Sequence, residues 1–235
     1  MGEPLKVVIV GSGPIGIAIA KRMKADYAVE LIDNQTCQNI DKQIQWSVAN
    51  LGGIDILINA IEHYQTGAIL EISAKSIEEA FRIRVSTLLK TIQTAAPLME
   101  KNENGGRILN LAGERGNLAT GEHAIEATIA AAIAALTREI AVDLESRKIA
   151  VNSISPWMLS PEEIETFDAL RKQRFTETTL MDRLITPDDI AILAEFLVSS
   201  DAFTVDAYDM VVDGGMSAFR VRMEESWFEN AEYYH

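Results

Sequence analysis

The chain has 235 residues, enough for one α/β domain with its own core and no need of a second domain. Apolar residues make up 48% of it, which argues against disorder as its organising principle. Acidic residues outnumber basic ones 35 to 21, and a net charge of −14 argues against nucleic acid or an anionic membrane as partner, because phosphates are repelled. The same imbalance makes a polyanionic coenzyme harder to dock unless local donors compensate. Cys37 is the only cysteine, so no internal disulfide exists, which fits a reducing compartment. The start, "MGEPLKVVIV", runs straight into an apolar strand pattern with no basic region and cleavage site, and Lys6 stands where a myristoylation signal needs Ser or Thr. Apart from one Ala-rich helix, no apolar run approaches the roughly 18–20 residues of a membrane span, so a soluble cytoplasmic protein is expected.

In chain order, "LKVVIV" (5–10) is a continuous apolar run, the pattern of a strand buried on both faces. "GSGPIG" (11–16) breaks it, and "IAIAKRMK" (17–24) resumes with helical spacing. "AVELID" (28–33) predicts a second strand, and "DKQIQWSVANL" (41–51) an amphipathic helix stopped by Gly52 and Gly53. "IDILINA" (54–60) is a third buried strand. Residues 76–100 predict one long helix opened by a Ser76–Glu79 capping box. "GRILNLA" (106–112) is a strand, 122–145 a helix, and "IAVNSIS" (149–155) a strand. A helix over 186–200, with Pro187 in its first turn, and a closing strand and turn at 207–215 complete the pattern. Strands alternating with helices of this length predict a Rossmann-like, doubly wound parallel sheet. The domain is expected to span 1–216. Residues 157–180 form the longest candidate loop, and 217–235 a C-terminal tail suited to an interface.

Gly11, Gly13 and Gly16 spell G-x-G-x-x-G between a strand and a helix, the context in which backbone N–H groups and a helix N-terminus face a pyrophosphate. Asp33 ends the next strand near where a ribose-binding acid falls. A tight turn needing small residues for packing explains the same glycines. Pro14 removes one N–H from the cradle and favours the packing explanation.

Several fragments together resemble the short-chain dehydrogenase/reductase family: "GGIDILINA" (52–60), "GRILNLAG" (106–113), "SRKIAVNSISP" (146–156), "ITPDDIAILAEFLVSSDA" (185–202) and "MVVDGG" (210–215). The resemblance covers about residues 5–217 and implies a nicotinamide cofactor and alcohol–carbonyl chemistry. In that family a Tyr is the general acid/base, a Lys lowers its pKa and holds the cofactor ribose, a Ser orients the substrate oxygen, and an Asn supports a proton-relay water. Ungapped matching places Arg84, Gly113, Glu126 and Ala130 at the Asn, Ser, Tyr and Lys positions. No shift of register restores them: no serine lies between Ser86 and Ser146, no tyrosine between Tyr64 and Tyr208, and no lysine between Lys101 and Lys148.

The cofactor positions depart from the family pattern as well. Its Asn-Asn-Ala-Gly becomes Asn59-Ala60-Ile61-Glu62, placing bulk and charge where the backbone approaches adenosine. Its Pro-Gly becomes Pro156-Trp157, placing a ring where nicotinamide lies. Gly16 and Asn59 are 43 positions apart, short by about one strand–helix unit of ~20–30 residues. Asp33 is therefore either the ribose acid or the acid ending the following strand.

Three readings follow. In the first, the chain is a degenerate, non-catalytic subunit. NAD and catalysis then belong to an active paralogous partner, in a heterotetramer like the heteromeric hydroxyacyl-CoA dehydrogenases of anaerobic toluene degradation. In the second, it is a repurposed acid/base enzyme using Glu114, Arg115, Glu122, His123 and Glu126, which crowd the former active-site loop. In the third, it is a ligand sensor whose emptied pocket is lined by Trp157 and Ile61. No catalytic residue of the family type, no cofactor in this chain and no metal are expected. Arg84 and Glu126 are expected to pair within ~4 Å, because an unpaired buried charge is costly. The helices at 76–100 and 122–145, with Phe219, Trp227, Phe228, Tyr233 and Tyr234 of the tail, are expected at the subunit interface.

Overall fold

The computed structural model describes residues 3–33, 39–113, 121–157, 169, 176–177 and 179–218. The uninterrupted apolar runs form its central strands, since only a strand covered on both faces can bury every successive side chain. Val7 to Val10 are entirely buried in β1 (Lys6–Val10), and Leu57 and Ile58 in β3 (Ile56–Asn59). With β2 (Ala28–Ile32), β4 (Gly106–Leu111), β5 (Ile149–Pro156) and β6 (Asp209–Val212) they make a six-stranded sheet ordered β2-β1-β3-β4-β5-β6. Every pairing is parallel. The expected Rossmann-like sheet is present, and β2 is an edge strand with no further strand beyond it among the described residues.

Helices fill the two faces. Alternation along the strands sends Val8, Val10, Leu57, Ile108 and Val151 into one cluster with α2 (Ile40–Leu51), α4 (Thr87–Met99) and α5 (Ala124–Leu144). Val7 and Ile9 face the other side, where α1 (Pro14–Met23) and α6 (Pro187–Val198) pack together. Gly52 takes the left-handed conformation, φ +72°, that stops α2, as its sequence indicates. Thr186 and Asp189 close a reciprocal capping box on α6, with Pro187 in its first turn.

The long helix expected over 76–100 is composite. α3 (Ala74–Ala80) is capped by Ser73, whose side chain accepts from the Ser76 N–H, so Ser76 is not the cap. A π-helical turn, Phe81–Ser86, then leads into α4. π turns are rare and concentrate at functional sites; this one carries Arg84.

The chain divides into two compact units. One holds the described residues up to Trp157 together with Thr186–Val212, and so the whole sheet; the other holds those within 158–185 and from Asp213 on. In the second, Asp213 accepts the N–H groups of Gly215 and Ser217 and orders that turn. The tail aromatics from Phe219 to Tyr234 lie outside the described residues. Among the described residues, no helix is long and apolar enough to cross a membrane.

Candidate active site

The strand order reverses at β1, which lies between β2 and β3. At such a switch point the loops leave the sheet in opposite directions and open a crevice outside the carboxyl ends of the strands. Gly11 enters it with φ +127°, its N–H donating to the Ile32 carbonyl at 2.9 Å. A Cβ on Gly11 would lie 1.9 Å from the Ala60 carbonyl oxygen, and one on Gly16 would lie 1.9 Å from that of Gly11. Both glycines are thus required by packing alone. Gly13 is the N-cap of α1 and Pro14 its first residue.

Asp33 follows β2, the strand hydrogen-bonded directly to β1, and accepts from the Ser12 hydroxyl at 2.8 Å. Its carboxylate therefore stands beside the glycine loop. In dinucleotide folds the ribose acid ends the strand adjacent to the first one, so the placement matches that of a ribose acid. Past Asp33 a groove of about 480 Å³ runs between β2 and the start of α2, lined by Asn39, Lys42 and the largely exposed Trp46. A larger hollow of about 700 Å³ lies by Asp55, Gly106 and Ile149, at the amino ends of the strands, away from the crevice.

Ile61 and Glu62, expected together against adenosine, separate. Ile61 is buried in the core. Glu62 reaches into the glycine loop: its Oε1 accepts the Ile15 N–H at 3.1 Å, and a Cβ on Gly13 would meet its Oε2 at 2.4 Å. The loop fits an anion at its helix N-terminus, and a carboxylate of this same chain is the anion there. What a Cβ on Gly13 would meet is thus the far end of a flexible side chain and not fixed backbone.

The second cluster lies at the ends of β4 and α5. Arg84 and Glu126 are 6% and 4% exposed, and Arg84 Nη1 donates to Glu126 Oε2 at 3.2 Å, the expected pair. Arg84 Nη2 also donates to the carbonyls of Leu111 at 3.3 Å and Ala112 at 2.7 Å. Its Nε is buried without a hydrogen-bond partner among the described residues. The other Glu126 oxygen accepts the Gln65 N–H at 2.9 Å. Gly113 takes φ +135°, a backbone that L side chains rarely adopt, and a Cβ there would meet that of Ala130 at 3.5 Å. The four matched positions therefore converge, which supports the ungapped matching that brought them together.

The other polar residues of this loop are placed as follows. Glu114 and Arg115 lie outside the described residues. Glu122 is exposed with φ +56°, its carbonyl accepting the Gly67 N–H. His123 is the N-cap of α5, with Nδ1 hydrogen-bonded to the Gly121 carbonyl. Trp157 is buried, its N–H donating to the Val212 carbonyl at 2.9 Å. A buried chain, unforeseen in the sequence, braces the site from below. Thr91 donates to Asn59, Asn59 to Asn110, and Asn110 to Thr137, at 2.6, 2.9 and 3.0 Å. Polar residues inside apolar strand and helix patterns were its only signal.

The family profile described as enoyl-(acyl carrier protein) reductase matches residues 14–217. The chain is 31% identical over 173 residues to an uncharacterized oxidoreductase of Mycobacterium tuberculosis, a match covering 73% of this chain and 65% of that one. It is 29% identical over 195 residues to galactitol 2-dehydrogenase of Agrobacterium fabrum, covering 78% and 76%. Among solved structures, gluconate 5-dehydrogenase of Burkholderia cenocepacia, in complex with NADP and tartrate, superimposes with a TM-score of 0.83. That match has 20% identity and covers 93% of this chain and 97% of that one. These findings correct the expectation of a non-catalytic, degenerate subunit beside a toluene-degradation partner. Two of these relatives are named as dehydrogenases and the third as an oxidoreductase, and nothing in the comparisons points to a silent member or to that pathway. With that subunit reading goes the ground for assigning the cofactor to a partner chain alone. The chain belongs to the short-chain dehydrogenase/reductase family.

Proposed function

We propose that the chain is an oxidoreductase that binds a nicotinamide dinucleotide across the switch-point crevice and interconverts a secondary alcohol and its ketone. Glu126 takes the place of the family's tyrosine. The observation that carries this reading is the buried Arg84–Glu126 pair, assembled with Gly113 and Ala130 at the carboxyl end of the sheet. A buried carboxylate placed where a proton must be exchanged is a candidate acid/base group.

Gly11, Gly13 and Gly16 would hold the pyrophosphate at the start of α1 and Asp33 the adenosine ribose, with the groove by Trp46 receiving the base. The bound nicotinamide supplies the hydride acceptor or donor. Glu126 takes the hydroxyl proton on oxidation and returns it on reduction. Its carboxylate accepts from the Arg84 guanidinium and from the Gln65 N–H, which hold it in place as a proton acceptor. Gly113, having no side chain, leaves room beside Ala130 for a substrate oxygen. The name of the galactitol enzyme makes polyols the first substrates to try.

The test is a spectrophotometric assay of the purified chain with NAD and NADP against polyols, sugar acids and hydroxysteroids. Turnover is expected, and Glu126→Gln is expected to reduce kcat by about 10²–10⁴, the usual worth of a positioned proton acceptor. Absence of turnover throughout the panel, or equal turnover in the variant, overturns the reading.

A further inference from the structure

We infer that Glu62 is a built-in competitor for the cofactor cradle: its carboxylate occupies the pyrophosphate position, and a dinucleotide binds only by displacing it. This rests on the dinucleotide reading above. The first turn of α1 has few ways to satisfy its donors. Gly13, the N-cap, has no side chain, and Pro14 has no N–H, so Ile15 offers the first amide of the helix. Glu62 takes that amide from 47 positions away in sequence and lies directly over Gly13. A phosphate at a helix N-terminus uses the same amides and the same positive end of the dipole. A carboxylate and a pyrophosphate cannot share so small a space without strong repulsion.

The neighbouring backbone confines the movement to the side chain. Before Glu62, the Ala60 N–H donates to the Val10 carbonyl at 2.8 Å and fixes the strap to β1. Beyond it, the Gln65 N–H is held by Glu126 and the Gly67 N–H by the Glu122 carbonyl, at 2.9 and 2.8 Å. The strap 60–67 is thus tied at both ends, and rotation about the Glu62 side-chain bonds opens the cradle. The same residue serves as a helix cap when the cofactor is away and as a gate when it arrives. Since the strap also supplies the Gln65 N–H to Glu126, the gate and the acid/base group hang on one segment.

The experiment uses the full chain as wild type, Glu62→Gln and Glu62→Ala, with two probes, inorganic pyrophosphate and NADH. Melting temperature is read with pyrophosphate, and Kd with NADH by calorimetry. Removing the cap is expected to lower the melting temperature of Glu62→Ala by ~2–4 °C. Pyrophosphate is expected to restore it while leaving the wild type unmoved. NADH is expected to bind Glu62→Ala about tenfold or more tightly than wild type, with Glu62→Gln between them, because the charge is gone while the amide contact is kept. A Glu62→Ala melting temperature unmoved by pyrophosphate, or an NADH Kd equal in all three proteins, overturns the inference. Equal Kd values overturn the gate alone and leave the dinucleotide reading standing. Pyrophosphate rescue without NADH binding in any protein removes the dinucleotide reading and leaves Glu62 as the occupant of an anion cradle.

Discussion

Replacing Arg84 by Met, Glu126 by Leu, and both together forms a double-mutant cycle on the buried pair. In Arg84→Met the Glu126 carboxylate, 4% exposed, keeps only the Gln65 N–H, and the carbonyls of Leu111 and Ala112 lose their shared donor. Stranding one buried charge in this way costs about 3–5 kcal/mol. In Glu126→Leu the guanidinium keeps its two carbonyls, so the loss falls at the low end, ~3 kcal/mol. The double replacement removes both charges and leaves only neutral carbonyls and one amide to re-satisfy, for which ~1–3 kcal/mol is expected. The singles then sum to roughly 6–8 kcal/mol against ~1–3 for the double, a coupling of several kcal/mol. Urea unfolding followed by far-UV circular dichroism measures it. Each single is also expected to lower Tm by roughly 6–20 °C for a chain of this size. Single losses below ~1 kcal/mol, the range of a solvated surface pair, or strict additivity in the double would refute the buried-pair geometry and the placement of Glu126 as a desolvated acid/base group.

Gly16→Ala is expected to destabilise the fold and abolish dinucleotide binding together, because its methyl would lie 1.9 Å from a backbone oxygen; chemical denaturation and calorimetry on the same sample check this. Asn110→Ala removes the middle of the buried Thr91–Asn59–Asn110–Thr137 chain and is expected to cost about 1–3 kcal/mol in urea unfolding, with a cost under ~0.5 kcal/mol counting against the network. The outward side of α5, where Ala131, Ala135 and Val142 are exposed, is expected to be covered by another subunit. Native mass spectrometry should show an oligomer that Ala135→Glu shifts toward monomer, and a monomeric wild type would refute it.

Sequence alone determined the sheet and its direction. A strand must be apolar at every position to be buried on both faces, and runs such as 7–10 and 56–58 are long enough to show it. Spacing between the glycine loop and Asn59 limits how many elements fit between them, and among the described residues β2 is the edge strand. The Arg84–Glu126 pair was legible through family matching, because two opposite charges brought to one buried place must meet. Other features are decided only by the tertiary structure. A π turn at 81–86 stands where the periodicity predicts an ordinary helix, and helical periodicity alone does not reveal one extra residue in a turn. Asp33 reads equally as either of two strand-ending acids, and only the pairing of β2 with β1 sets it beside the glycine loop. Glu62 is the clearest case. The parallel register sets Val10 opposite Asn59, so the residues that follow each strand leave the sheet side by side. That adjacency lowers a carboxylate from one loop onto the helix start of another, 47 positions apart. Local propensity carries no trace of it, because the amide that draws the charge exists only after β1 and β3 have paired.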